Sequence, residues 1–267
     1  MMSQAVLWAA AGTGFTFLMT SLGAAAIFIL RKRAAVQVWQ RVFLGFAAGV
    51  MTAAAVWSLL LPAIEEAEAV GLAMPWLPAV GGFALGGLFM LLVDNLLPHL
   101  HMDSDAPEGL PCSFRRSTLL MLAVTLHNIP EGMALGLSFA LAAQHSADPA
   151  AISTAAALAV GMGIQNFPEG AAVSLPLYKD GVSAGKAFGL GVLSGVVEPI
   201  FGILAVLLAG SMMGMMPWLL SFAAGTMIYV VTEELIPEAH LGEHSHIGTV
   251  SVMAGFMLMM LLDVALG

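Results

Sequence analysis

Apolar residues run through this chain in blocks far longer than one helical face requires, and polar residues collect between the blocks. The blocks fall near residues 5–30, 40–63, 76–99, 117–142, 151–177, 184–209, 216–239 and 247–266. As a helix rising about 1.5 Å per residue, each is long enough to cross about 30 Å of hydrocarbon. A helix that is apolar all round has no face to present to water. The pattern predicts an all-α integral membrane protein of eight transmembrane helices, forming a single domain over residues 1–267. The connecting segments are short and leave no room for a separate soluble domain. No basic stretch precedes the first block, which therefore reads as a helix that stays rather than a cleaved leader.

Composition agrees. Of 267 residues, 60% are hydrophobic and 9% charged, against about 25% charged in soluble domains. Mean hydropathy is +0.94. The net charge of −9 comes with no basic patch that would bind nucleic acid. The single cysteine, Cys112, excludes an internal disulfide and a thiolate metal cluster.

Charge sets an orientation. The basic residues are Arg31, Lys32, Arg33, Arg41, Arg115, Arg116, Lys179 and Lys186. In an eight-helix arrangement all of them fall on one side, which the positive-inside rule makes the cytosol, with both termini outside. The other side carries Glu65, Glu66, Glu68 and Asp148. An acidic rim raises local cation concentration, and it is equally what remains when a loop avoids positive charge.

Two copies of one short motif interrupt this apolar background. They are His127-Asn128-Ile129-Pro130-Glu131-Gly132 and Gln165-Asn166-Phe167-Pro168-Glu169-Gly170. In each copy the first, second and fifth residues share one helical face. A carboxylate deep in a bilayer costs about 2.5–3.5 kcal/mol and rarely stands there without a partner. Two of them in matching frames suggest a shared cation. Pro130 frees the carbonyl of Leu126, and Pro168 frees that of Ile164, giving either a kink or an extra oxygen donor.

Glu198 lies at a similar depth in the sixth block. Glu131, Glu169 and Glu198, one imidazole (His127) and three amides (Asn128, Gln165, Asn166) are therefore placed to converge. Imidazole with carboxylate suits Zn²⁺ and neighbouring first-row divalent ions, and amide oxygens widen the choice toward harder ions. A second likeness pairs Leu60-Leu61-Pro62-Ala63-Ile64-Glu65 with Leu235-Ile236-Pro237-Glu238-Ala239-His240. With the motif pair it suggests an inverted repeat of 3+2+3 helices, a layout with its site at the midplane. The glycines of the third block (Gly81, Gly82, Gly86, Gly87) and sixth block (Gly185, Gly189, Gly191, Gly195) read as close helix packing. They permit a homodimer without requiring one.

These residues resemble the ZIP (Zrt/Irt-like) divalent metal transporters. The likeness spans nearly the whole chain: the Leu-Pro ending of the second block, both motifs, Glu198-Pro199, and Glu233-Glu234-Leu235-Ile236-Pro237-Glu238. Gln165 at the head of the second motif resembles the bacterial GufA branch. The resemblance implies uptake of zinc into the cytosol across the cell's inner (plasma) membrane, with Cd²⁺, Fe²⁺, Mn²⁺ and Co²⁺ as further candidates. It also implies a binuclear midplane centre. His127, Glu131, Gln165 and Glu169 would line one position, with Met51 as a thioether neighbour. Asn128, Glu131, Asn166, Glu169 and Glu198 would line the other. Many relatives have His where Gln165 and Ser58 stand, which bears on zinc preference.

The remaining intramembrane polar residues fall along a path. Ser58 and Asp263 are expected toward the outer half, and Asp94, Glu233 and Glu234 toward the inner half. His240-Leu241-Gly242-Glu243-His244 matches a zinc-hydrolase pattern. Gly242 interrupts it, and a third ligand and a cleft are missing. With His246, His99 and His101 it reads as a cytosolic metal-collecting loop or an ordinary polar one. The rival class is an intramembrane zinc metalloenzyme activating water. It lacks a His-Glu-x-x-His and any spare general base. No phosphate-binding loop is present to power transport with ATP.

Overall fold

The computed structural model describes residues 2–29, 33–97, 116–146, 148–179, 181–211, 213–239 and 246–266. Among the described residues the chain is helical throughout, with no strand. The order is α1 (Met2–Ala25), α2 (Arg33–Ala54), α3 (Leu61–Ala69), α4 (Trp76–Leu96), α5 (Arg116–Gln144), α6 (Pro149–Lys179), α7 (Ala184–Gly195), α8 (Val197–Ser211), α9 (Met216–Val230), α10 (Ile236–Ala239) and α11 (Ile247–Leu266).

Six stretches of the described residues are long and apolar enough to cross a membrane: Met2–Phe28, Arg41–Ala69, Trp76–Leu96, Pro149–Tyr178, Ala184–Ser211 and Ile247–Ala265. The count is six rather than the eight expected. The other two expected spans, α5 and the stretch from α9 to α10, are helical but are not among the six found in the described residues. Both are mostly buried, as is the Arg41–Ala69 stretch. From Asn128 to Ala143 most of α5 is buried, as is most of α9. A helix shielded by its neighbours can carry polar groups that a lipid-facing one cannot.

The outer surface is apolar. Val80, Leu85, Leu88 and Leu92 of α4 and Val250, Met253, Met257 and Leu261 of α11 are all exposed. The interior is built largely from Ala and Gly, with Leu and Met filling the space between them. Small residues at the contacts let helix backbones approach closely, which in lipid replaces a hydrophobic driving force.

Packing is most extensive between α2 and α11, α1 and α6, α4 and α9, and α5 and α8. Each pair closes on glycine. A Cβ on Gly49 would meet the carbonyl of Val252, and one on Gly255 that of Phe46. On the α4–α9 contact, Gly86 abuts the carbonyl of Phe222 and Gly225 that of Phe83. The motif glycines do the same: Gly132 lies against the backbone of Glu198, and Gly170 against that of Thr20.

Two helices change winding at matched places. Ala55–Leu60 after α2, and Val231–Leu235 after α9, are π-helical turns. Each directly precedes a proline step, Leu61-Pro62 or Ile236-Pro237. Proline offers no N–H and crowds the carbonyl four residues earlier, and a wider turn relieves that conflict while the helix continues. Upstream of these turns the chain repeats itself. Phe46-Ala47-Ala48-Gly49-Val50-Met51 on α2 matches Phe222-Ala223-Ala224-Gly225-Thr226-Met227 on α9. The interval from Gly86 to Asp94 on α4 likewise equals that from Gly255 to Asp263 on α11.

Candidate metal centre

The two motifs lie on α5 and α6, with Pro130 and Pro168 inside helices that continue past them. Seven predicted ligands are buried: His127, Asn128, Glu131, Gln165, Asn166, Glu169 and Glu198. The third element is the break at Val196, after which Glu198 opens the first turn of α8.

The amides of the second motif reach the carboxylates of other helices. Gln165 Nε2 donates to Glu131 Oε1 at 2.7 Å, joining α6 to α5. Asn166 Nδ2 donates to Glu198 Oε2 at 2.7 Å, joining α6 to α8. Asn128 Nδ2 donates to the carbonyl of Ser194 at 2.9 Å, tying α5 to the end of α7. The cluster is thus one polar network across α5, α6, α7 and α8.

The network is short of donors. Asn128 Oδ1, Glu131 Oε2, Gln165 Oε1, Asn166 Oδ1 and both oxygens of Glu169 are buried without a hydrogen-bond partner. Buried polar atoms are almost always paired, and each unpaired one costs about 1–3 kcal/mol, more when charged. All six are oxygen acceptors, the chemistry that a cation satisfies. They are not drawn into a finished cage. Among the described residues no three His, Asp or Glu side chains stand close enough together to hold a metal ion as they are.

His127 of the first motif also reaches α9's continuation. Its Nε2 lies 2.5 Å from Glu234 Oε1 in the second π-helical turn. The turn separates two adjacent carboxylates, because Glu234 is buried and Glu233 exposed. Asp94 accepts from the hydroxyl of Tyr229 at 3.1 Å. Ser58 donates to Asp263 Oδ1 at 2.6 Å, and both are buried. Met51 is fully buried on α2. His246 is exposed just ahead of α11. His99, His101, His240 and His244 lie outside the described residues, as do Arg31, Lys32, Arg115 and Glu243.

One contributor was not anticipated. Thr20 of α1 donates to Glu198 Oε1 at 3.2 Å, so Glu198 is held from both α1 and α6. Thr13, Thr16 and Thr20 form a buried stripe at helical spacing. That spacing was the available signal: three hydroxyls on one face of an otherwise apolar span.

Comparison with known proteins identifies the family. The ZIP Zinc transporter family profile matches residues 102–263. Zinc transporter ZIPB of Bordetella bronchiseptica is 40% identical over 98% of this chain and 81% of its own length. Human Zinc transporter ZIP11 is 37% identical over 99% of this chain and 98% of its own. Zinc transporter GufA of Myxococcus xanthus is 37% identical over 79% and 81%. These relatives are named as transporters rather than enzymes, and likeness at this level to GufA and ZIPB supports the GufA-like branch. With the paired motifs on buried neighbouring helices and matches over nearly its full length, the chain belongs to the ZIP zinc transporter family.

Proposed function

We propose that this chain moves zinc and related divalent cations into the cytosol through a binuclear site between α5, α6 and α8. The observation that carries the reading is the set of six buried, unpartnered oxygens contributed by the two motifs. Glu131 and Glu169 are the bridging pair, since each motif supplies one buried carboxylate at the equivalent position. His127, Gln165 and Glu169 complete one position with Glu131, and Met51 of α2 is its thioether neighbour. Asn128, Asn166 and Glu198 complete the other.

Binding requires the amides to turn. Gln165 and Asn166 each give an N–H to a carboxylate while their own oxygens lack partners. Rotating either amide exchanges donor for acceptor, freeing a carboxylate oxygen and presenting an amide oxygen together. The ion then leaves inward past Glu234, which already contacts His127.

The proposed frame has eight crossings in a 3+2+3 inverted repeat, with both termini outside in a cell membrane. Three features support it. Matched strings occur on α2 and α9, π-helical turns precede matched prolines, and the main packing pairs exchange under the repeat. In that exchange α2–α11 maps onto α9–α4, and α1–α6 onto the α7–α8 span against α5. The metalloenzyme alternative finds no support, because the relatives are named as transporters.

Zinc uptake into proteoliposomes, beside a Glu131→Ala/Glu169→Ala double variant, tests the reading. Uptake lost in the variant is the expected result. A native chain that binds zinc and moves none overturns it.

A further inference from the structure

α5 turns tightly into α6 and carries His145 in the turn. The His145 N–H donates to Leu141 O at 3.1 Å, and the Asp148 N–H to His145 O at 2.8 Å. Asp148 Oδ1 accepts from the Ala150 N–H at 3.0 Å and so caps α6. The turn is pinned by these bonds, which gives His145 a defined place. Its Nε2 lies 2.9 Å from Glu66 Oε2 near the end of α3, 79 residues away in sequence.

This pair flanks a cavity of about 390 Å³, whose lining includes Ser58, Glu65, Asp148 and Asp263 and no Lys or Arg. Asp263 is only 6% exposed. Its Oδ1 accepts from Ser58, while Oδ2, buried in the same lining, has no hydrogen-bond partner.

We propose that this vestibule holds a second divalent-cation site, distinct from the centre between α5, α6 and α8. His145 Nε2 and Glu66 Oε2 seat a partly hydrated zinc ion at the mouth, and Asp263 draws it inward. The site's role as the outer receiving station rests on the proposed transport and orientation, whereas its capacity to bind does not.

The donor chemistry is right for zinc. With Zn–N near 2.0–2.1 Å and Zn–O near 2.0–2.2 Å, a tetrahedral ion holds its N and O ligands about 3.4 Å apart. The pair has to open by only about half an ångström from its present contact. His145 is free to give, because 45% of its side chain is exposed, while the Glu66 side chain is 11% exposed. The surrounding carboxylates concentrate cations in the low-dielectric mouth. Since no three ligating side chains converge among the described residues, water completes the shell. A seat with two protein ligands exchanges quickly, which suits capture and release better than storage.

The test is a zinc titration of the intact, purified chain in the Glu131→Ala/Glu169→Ala background. Adding His145→Gln, which keeps a donor for Glu66, should remove one weakly bound zinc equivalent, and Glu66→Gln should do the same. Retention of that equivalent in both variants overturns the site. In proteoliposomes with both central carboxylates present, His145→Gln should raise KM for zinc at least about threefold with the maximal rate kept. An unchanged KM overturns the receiving role. If the native chain moves no zinc, the transport reading fails while the titration still decides the vestibule site.

Discussion

His127 and Glu234 stand 2.5 Å apart, imidazole Nε2 to carboxylate Oε1, and join the first motif to the π-helical turn after α9. The contact links the cluster on α5, α6 and α8 to the α2–α4–α9–α11 side of the molecule. It also distinguishes two neighbouring acids, because Glu233 is exposed.

Glu234→Gln keeps a hydrogen-bond partner for His127 and removes a charge from the proposed inward path. Zinc uptake should fall about tenfold, the scale at which neighbours of a metal site act. Glu233→Gln should stay within about twofold of native. Equal effects of the two changes in proteoliposomes would remove Glu234 from the path.

Gln165→His supplies a nitrogen ligand where an amide now bonds Glu131. Imidazole favours zinc over harder ions. The variant should bind zinc more tightly and discriminate more strongly against Mn²⁺, as read by competition in a zinc-uptake assay. Unchanged selectivity would show that Gln165 does not touch the metal.

Thr20→Val preserves shape and deletes the hydroxyl that holds Glu198. A hydrogen bond to a charged group contributes about 1.5–3 kcal/mol, and 1.4 kcal/mol is tenfold in affinity. Zinc affinity should fall on the order of tenfold while thermal stability in detergent changes little. Native affinity in the variant would make the threonine stripe a packing feature alone.

Gly170→Ala forces a methyl group into the backbone of Thr20 and Ala24. Overpacking of this kind costs about 1–3 kcal/mol, so the melting temperature should drop. Gly189 has open space around its α-carbon, and Gly189→Ala should leave the melt unchanged or raise it slightly. Comparable melts for the two variants would argue against close backbone contact between α1 and α6.

Zinc binding at carboxylates and imidazole displaces their protons. The KM for zinc should therefore rise as the medium is taken from about pH 7 to about pH 5. A flat profile would indicate ligands that carry no protons in that range.

Much of this was legible in the chain. The apolar blocks, the paired motifs and their buried carboxylates follow from residue type and local spacing, and helices act on that spacing directly. The blocks carrying the first motif and Glu233–Glu234 are helices as expected. Phe46–Met51 on α2 and Phe222–Met227 on α9 match more fully than the Leu-Pro segments that follow them.

By itself the sequence determined that the chain is a bundle of membrane helices with two copies of a metal-capable motif at its centre. Length, hydropathy and a spacing of four residues are local properties, and a helix expresses them whatever surrounds it. Tertiary structure alone decided which groups meet. Thr20 reaches Glu198 across 178 residues, His145 reaches Glu66 across 79, and the π-helical turn selects Glu234 over Glu233. Those choices depend on how glycine contacts bring backbones together and on where proline widens a helix. Pairwise packing between distant segments sets both, and no local periodicity records it.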